Sequence, residues 1–142
     1  MTLRSAMHAA IWLRDRVRRP TPFAILACAW LAMVLYANPG YLSYDSVHVL
    51  AEARVGHYLD LAALIWRVVD HVVPGPFGML LLQVTGVLCG AYRVLRSCLS
   101  PRRAAVCAGL VLWWPAISGT LGVIWTESHA AAWLLLGTGW LL

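Results

Sequence analysis

An all-α membrane protein is the fold class expected of this chain, on three observations. It is rich in apolar residues, its arginines are sorted into two short segments, and its apolar runs approach the length of a bilayer crossing. Of 142 residues 61% are hydrophobic and only 12% charged, with a mean hydropathy of +0.73, outside the range of soluble domains. All eleven positive charges are Arg, and nine of them fall in two clusters: Arg4, Arg14, Arg16, Arg18 and Arg19, then Arg93, Arg96, Arg102 and Arg103. The positive-inside rule puts both clusters, and the amino terminus, in the cytoplasm. These arginines flank apolar runs and form no basic face interleaved with aromatics, so the pI near 9.4 signals no nucleic-acid partner.

In chain order, residues 1–20 form a basic amphipathic segment at the cytoplasmic surface, with Leu3, Met7, Ile11 and Trp12 at helical spacing. The first span is expected over about 22–38, started by Thr21 and Pro22 and stopped by Asn38-Pro39-Gly40. A cleaved signal peptide fits poorly, because Leu35-Tyr36-Ala37 is not a small-x-small site and further apolar runs follow. An outer loop, 39–76, carries two short interfacial helices, Ser46 to Val55 and Leu61 to Val73. The second has Leu61, Leu64, Ile65, Val68 and Val72 on one stripe, with Arg67, Asp70 and His71 opposite. Tyr41, Tyr44, Tyr58 and Trp66 suit an aromatic belt there.

The second span, about 77–95, contains Gly86-x-x-x-Gly90, a spacing that lets another membrane helix approach closely. The third, about 104–124, should kink at Pro115. A fourth begins near Ala130 and reaches only Leu142, too short a run to cross a bilayer, so the chain is expected to be the front part of a longer protein or a truncated reading frame. Four cysteines with no Cys-x-x-Cys spacing are expected to be small buried hydrophobes.

With the amino terminus inside, Asp45, Glu52, Asp60, Asp70 and Glu127 all lie outside and only Asp15 inside. Acids are not sorted by the positive-inside rule, so this is independent information. From the residues alone Asp45 is expected to cap the helix that follows it. The pair His48 with Glu52 is expected to be a solvated polar face, and Glu127 with His129 an ordinary wet turn between spans, neither with a diagnostic metal-ligand spacing. Trp113 and Trp114 are expected to pack or meet lipid.

The stretch Asn38-Pro39-Gly40-Tyr41-Leu42-Ser43-Tyr44-Asp45-Ser46, two interfacial helices, and Ile124-Trp125-Thr126-Glu127 in the next outer turn resemble the start of the GT-C superfamily of polytopic glycosyltransferases. Within it, the chain resembles bacterial relatives of the protein mannosyltransferase and lipid A aminoarabinose transferase group. Related sequences carry His-Pro-Pro after the acid that Asp60 resembles, where this chain has Leu61-Ala62-Ala63, and a Lys-Asp pair at Thr126-Glu127. The resemblance implies a multi-pass protein of the bacterial inner membrane that takes a sugar from a polyprenyl-phosphate donor at the periplasmic face. It implies Asp45 and Glu127 as catalytic acids and leaves room for a divalent cation. Tyr44, Arg54, His57 and Arg67 are the candidate substrate-binding residues. The other expectation is a small non-enzymatic membrane subunit that associates through Gly86 and Gly90. A transporter fragment is disfavoured, since the spans contain no mid-span charge.

Overall fold

The computed structural model describes residues 20–56 and 61–142. The basic segment 1–19, His57, Tyr58 and Asp60 lie outside the described residues. Seven helices and one small parallel β-pair make up the rest.

Helix α1, Pro22–Ala37, starts where Thr21 Oγ1 accepts the Ala24 N–H at 3.1 Å with Pro22 in its first turn. Its 16 residues cover about 24 Å at ~1.5 Å each. It ends at Asn38-Pro39-Gly40, where Gly40 has φ +99°. A side chain on Gly40 would also press on Ile124, with a Cβ only 3.0 Å from its Cδ1, so glycine is required there twice over. Strand β1, Tyr41–Leu42, follows directly.

The central element is α4, Phe77–Arg96, with ten buried residues. It packs most extensively on α7, Thr126–Leu141. Gly86 and Gly90 explain why: a Cβ on Gly86 would lie 2.9 Å from that of Ala132, and one on Gly90 2.6 Å from that of Leu135. The helix that this glycine spacing admits is thus one of the chain's own. Trp30 of α1 donates its indole N–H to Thr85 Oγ1 on α4 at 2.9 Å. Met33, Val34, Leu80, Val84, Leu88, Leu112 and Leu121 form the core among α1, α4 and the helices that follow.

The expected third span is broken. Helix α5, Pro101–Leu112, ends before Trp113-Trp114, and α6, Pro115–Gly122, leaves at 66° to it. Pro115 has no N–H to give and its ring excludes a helical carbonyl at Val111, while Trp114 before it is extended at φ −61°, ψ 129°. After α6 the chain enters strand β2, Val123–Ile124, not further helix. The fully buried Gln83 of α4 donates its side-chain N–H groups to the carbonyls of Leu121 at 2.7 Å and Val123 at 3.1 Å. It thereby satisfies backbone acceptors that the break leaves without helical partners.

Among the described residues one helix, α4, is long and apolar enough to cross a membrane, or two if the bent α5–α6 pair counts as one span. Helix α1 is apolar but shorter, and α7 begins at Thr126, four positions before the expected span. The cysteines also depart from expectation: Cys28, Cys89 and Cys98 are exposed, Cys107 is partly so, and all are free. Cys28, Cys89 and Cys107 lie on helices whose inward faces are filled by the residues named above, and Cys98 lies in the turn between α4 and α5.

Candidate functional site

Helix α2, Tyr44–Val55, packs on α3, Leu61–Val72, and α3 packs on α4. Ala53, Ala63, Trp66, Met79 and Ile124 form their shared core. Arg54 of α2 binds both carboxylate oxygens of Asp70 of α3 at 3.0 Å. Asp70 also accepts the Gly75 N–H at 2.6 Å. The guanidinium and then the Gly75 amide hold the Asp70 carboxyl below the usual carboxylate range. Arg54, expected to meet substrate, is therefore engaged in joining the two helices to the loop that leads into α4. On α3 the apolar stripe Leu61, Leu64, Val68 and Val72 faces outward, while Ala63 and Trp66 are turned in.

The two acids singled out by the sequence are brought together by a feature that the sequence did not announce. Strands β1 and β2 pair in parallel, Tyr41 opposite Val123 and Leu42 opposite Ile124. Each strand runs within a few residues into a helix, and each acid follows its paired strand residue by three positions, Asp45 after Leu42 and Glu127 after Ile124. Both therefore sit in the first turn of a helix, α2 or α7. There the free N–H groups and the helix dipole favour a carboxylate.

The first corner is locked by serines. Ser43, not Asp45, is the cap of α2, which starts at Tyr44 and not at Ser46. Ser43 Oγ accepts the Ser46 N–H at 3.2 Å and Ser46 Oγ accepts the Ser43 N–H at 3.3 Å. Ser46 Oγ, buried, donates to the carbonyl of Ile124. With its proton so committed, it accepts the Ser43 hydroxyl, 2.7 Å away. Asp45 is relieved of the capping role and stands exposed beside the cleft. Tyr44 is exposed too, with its ring edge-on to His48 at 4.5 Å.

The second corner has no such lock, since Trp125 precedes α7 without a side-chain cap. The first-turn N–H groups of α7 are not taken up by a capping side chain. Thr126 Oγ1 donates to Glu127 Oε2 at 3.2 Å, and Glu127 is exposed.

Asp45 and Glu127 line one crevice with Ser43, Ser46, Thr126 and His129, floored by Trp66, Met79 and Ile124. Its free volume is about 10 Å³, on the scale of a single water. A larger apolar groove of about 440 Å³ opens on the other side of Glu127, between α6 and α7, lined by Ile117, Leu121, Trp125, Ala131 and Leu135. His129, 7% exposed, lines the crevice, and its Nε2 is buried without a partner among the described residues.

Of the other expected site residues, Arg67 is exposed on α3 and does not line the crevice. His57 lies outside the described residues. No three His, Cys, Asp or Glu side chains among the described residues are gathered as a metal-ligand set. The residues that sequence reasoning missed are Ser43, Ser46 and Gln83, which position the two corners. A Ser two residues before an acid carries only a weak capping signal, and nothing marks a polar residue in an apolar helix as a backbone clamp. Family models, curated proteins and solved structures were compared with the chain, and none matches it.

Proposed function

We propose that this chain carries the acidic residues of a GT-C-like sugar-transfer site at the outer face of a bacterial inner membrane. The observation that carries this is the convergence of Asp45 and Glu127 on one crevice through the β1–β2 pairing. Membrane placement is supported by large apolar side chains left in the open, Phe23 at 80%, Leu35 at 69% and Leu134 at 72% exposure, the kind of surface that a bilayer would cover. The outward stripe of α3 suits a helix lying along the membrane surface.

In this scheme the Asp45 carboxylate is the general base. It takes the proton of an acceptor hydroxyl, the acceptor oxygen bonds to the anomeric carbon, and the bond from that carbon to the polyprenyl phosphate breaks with inversion. The departing phosphate gains negative charge, and the uncapped first turn of α7 offers backbone N–H groups to meet it. The apolar groove beside Glu127 would take a lipid portion of a substrate. Tyr44 stands exposed beside Asp45, where a sugar ring would meet it.

The test uses membranes containing the chain, supplied with labelled polyprenyl-phosphate hexoses and pentoses. Asp45→Asn is expected to lose sugar transfer while inserting in the membrane as well as the unsubstituted chain, and retained transfer would remove Asp45 from the chemistry. A second reading, a non-enzymatic membrane subunit, is favoured by the crevice itself, whose volume admits no sugar without opening. Failure of the unsubstituted chain to consume any donor would favour the subunit.

A further inference from the structure

At the other end of the molecule, four arginines cluster around the turn between α4 and α5 with different partners. Arg93 stacks over the Trp140 ring, 4.2 Å from its centre. Arg96 donates to the Leu99 carbonyl at 2.7 Å. Arg102 holds the Pro20 carbonyl with two N–H groups, at 3.1 and 2.8 Å, and so ties α5 to the entry of α1. Arg103 is exposed and has no partner among the described residues. Arg102 and Arg103 head a groove of about 300 Å³ whose remaining walls are Leu99, Val106 and Cys107.

Among the described residues no acid lines that groove. The helix that supplies both arginines begins there, and Ser100 gives it no side-chain cap, so the amides of its first turn add positive potential at the same end. Below the arginines the groove is apolar, with Val106 44% exposed. A cationic head above an apolar trough complements a molecule with an anionic head and a hydrocarbon tail.

We infer that the Arg102–Arg103 groove binds one anionic phospholipid, its phosphate against the guanidinium groups and the start of α5, its acyl chain along Leu99, Val106 and Cys107. The inference rests on the membrane placement proposed above but not on sugar transfer. A general attraction of arginines for anionic lipid would treat all four alike, whereas this groove makes Arg103 different from Arg93.

The experiment is native mass spectrometry of the detergent-solubilised chain, incubated with equal amounts of phosphatidylglycerol and phosphatidylcholine of the same acyl chains. One phosphatidylglycerol should be retained per chain in preference to phosphatidylcholine. Arg103→Gln should weaken that retention about fivefold, the scale of one arginine near a lipid headgroup, while Arg93→Gln, with the same charge change, should leave it. Equal retention of the two lipids, or equal loss in both variants, would overturn the site. So would displacement of the lipid by millimolar inorganic phosphate, which would make it a free-phosphate site, or a dimer mass abolished by Arg103→Gln, which would give the groove to a second copy. A chain that stays soluble without detergent would instead refute the membrane placement.

Discussion

The two strand-to-helix corners of this molecule place an acid at equivalent positions by opposite means. At the first, local chemistry does the work: Ser43 and Ser46 close a reciprocal capping box and Ser46 reaches across to the Ile124 carbonyl. At the second, Trp125 offers no cap. Glu127 is held from a distance, by the pairing of β2 with β1, by Gln83 on the carbonyls of Leu121 and Val123, and by α7 seated on Gly86 and Gly90. A locally locked corner resists rearrangement, whereas one held by packing moves whenever its helix moves. The fixed corner presents the proposed base, and the adjustable one presents helix N–H groups beside the larger groove.

The substitutions that break this contrast differ widely in expected size. The largest effect is chemical: Asp45→Asn should lower transfer on the order of 10² to 10⁴-fold, the range of a lost general base, in a donor-turnover assay. Ser43→Ala should leave a measurable fraction of that activity, since Asp45 itself remains. Next is Gly90→Leu, whose side chain would press on the backbone at Leu135 and Leu136. It should cost about 1–3 kcal/mol or more in unfolding experiments in detergent and should displace Glu127 but not Asp45. Protease sensitivity around residue 127, with none gained around residue 45, would show this.

Smaller effects probe the caps. Ser43→Ala should destabilise by about 1 kcal/mol, whereas Trp125→Ser, which installs a cap where there is none, should cost less than a cap loss elsewhere despite the missing ring. Equal losses at both positions would erase the distinction between the corners.

The smallest effect is electrostatic. Asp70 is held below its ordinary range by Arg54 and the Gly75 amide, so in the folded chain it stays charged to lower pH than in the unfolded one. Its contribution is present above the unfolded carboxylate value near ~3.9 and is lost as pH falls through the lower folded value. Asp70→Asn should therefore lower the melting temperature at neutral pH, and the gap from the unsubstituted chain should close in acid.

Much of the helical framework was legible because apolar periodicity and breakers act locally. Helix α4 falls within a residue of its expected ends and Pro115 interrupts the third run. The corners were not legible. A two-residue strand has no periodicity, and its partner is far off in sequence, as the 78 positions between Ser46 and Ile124 show. The same limits explain two misplacements. Asp45 looked like a cap because Asp is a good one, but the reciprocal Ser43–Ser46 box starts the helix one residue before it, at Tyr44. The stretch 126–129 read as a turn because its polar residues outweighed the helix that Gly86 and Gly90 draw in. The cysteines read as buried because hydropathy cannot separate a face turned to the core from one turned away.

Parallel pairing of Tyr41–Leu42 with Val123–Ile124 is what puts both acids on one crevice. Residues opposed in neighbouring strands have Cα atoms about 5 Å apart, within reach of a disulfide. A Tyr41→Cys/Val123→Cys chain, with Cys28, Cys89, Cys98 and Cys107 replaced, should form an intramolecular disulfide under mild oxidation. A Tyr36→Cys/Val123→Cys chain should not. Absence of the first bond, with both thiols still reactive, would separate the two acids and contradict the site.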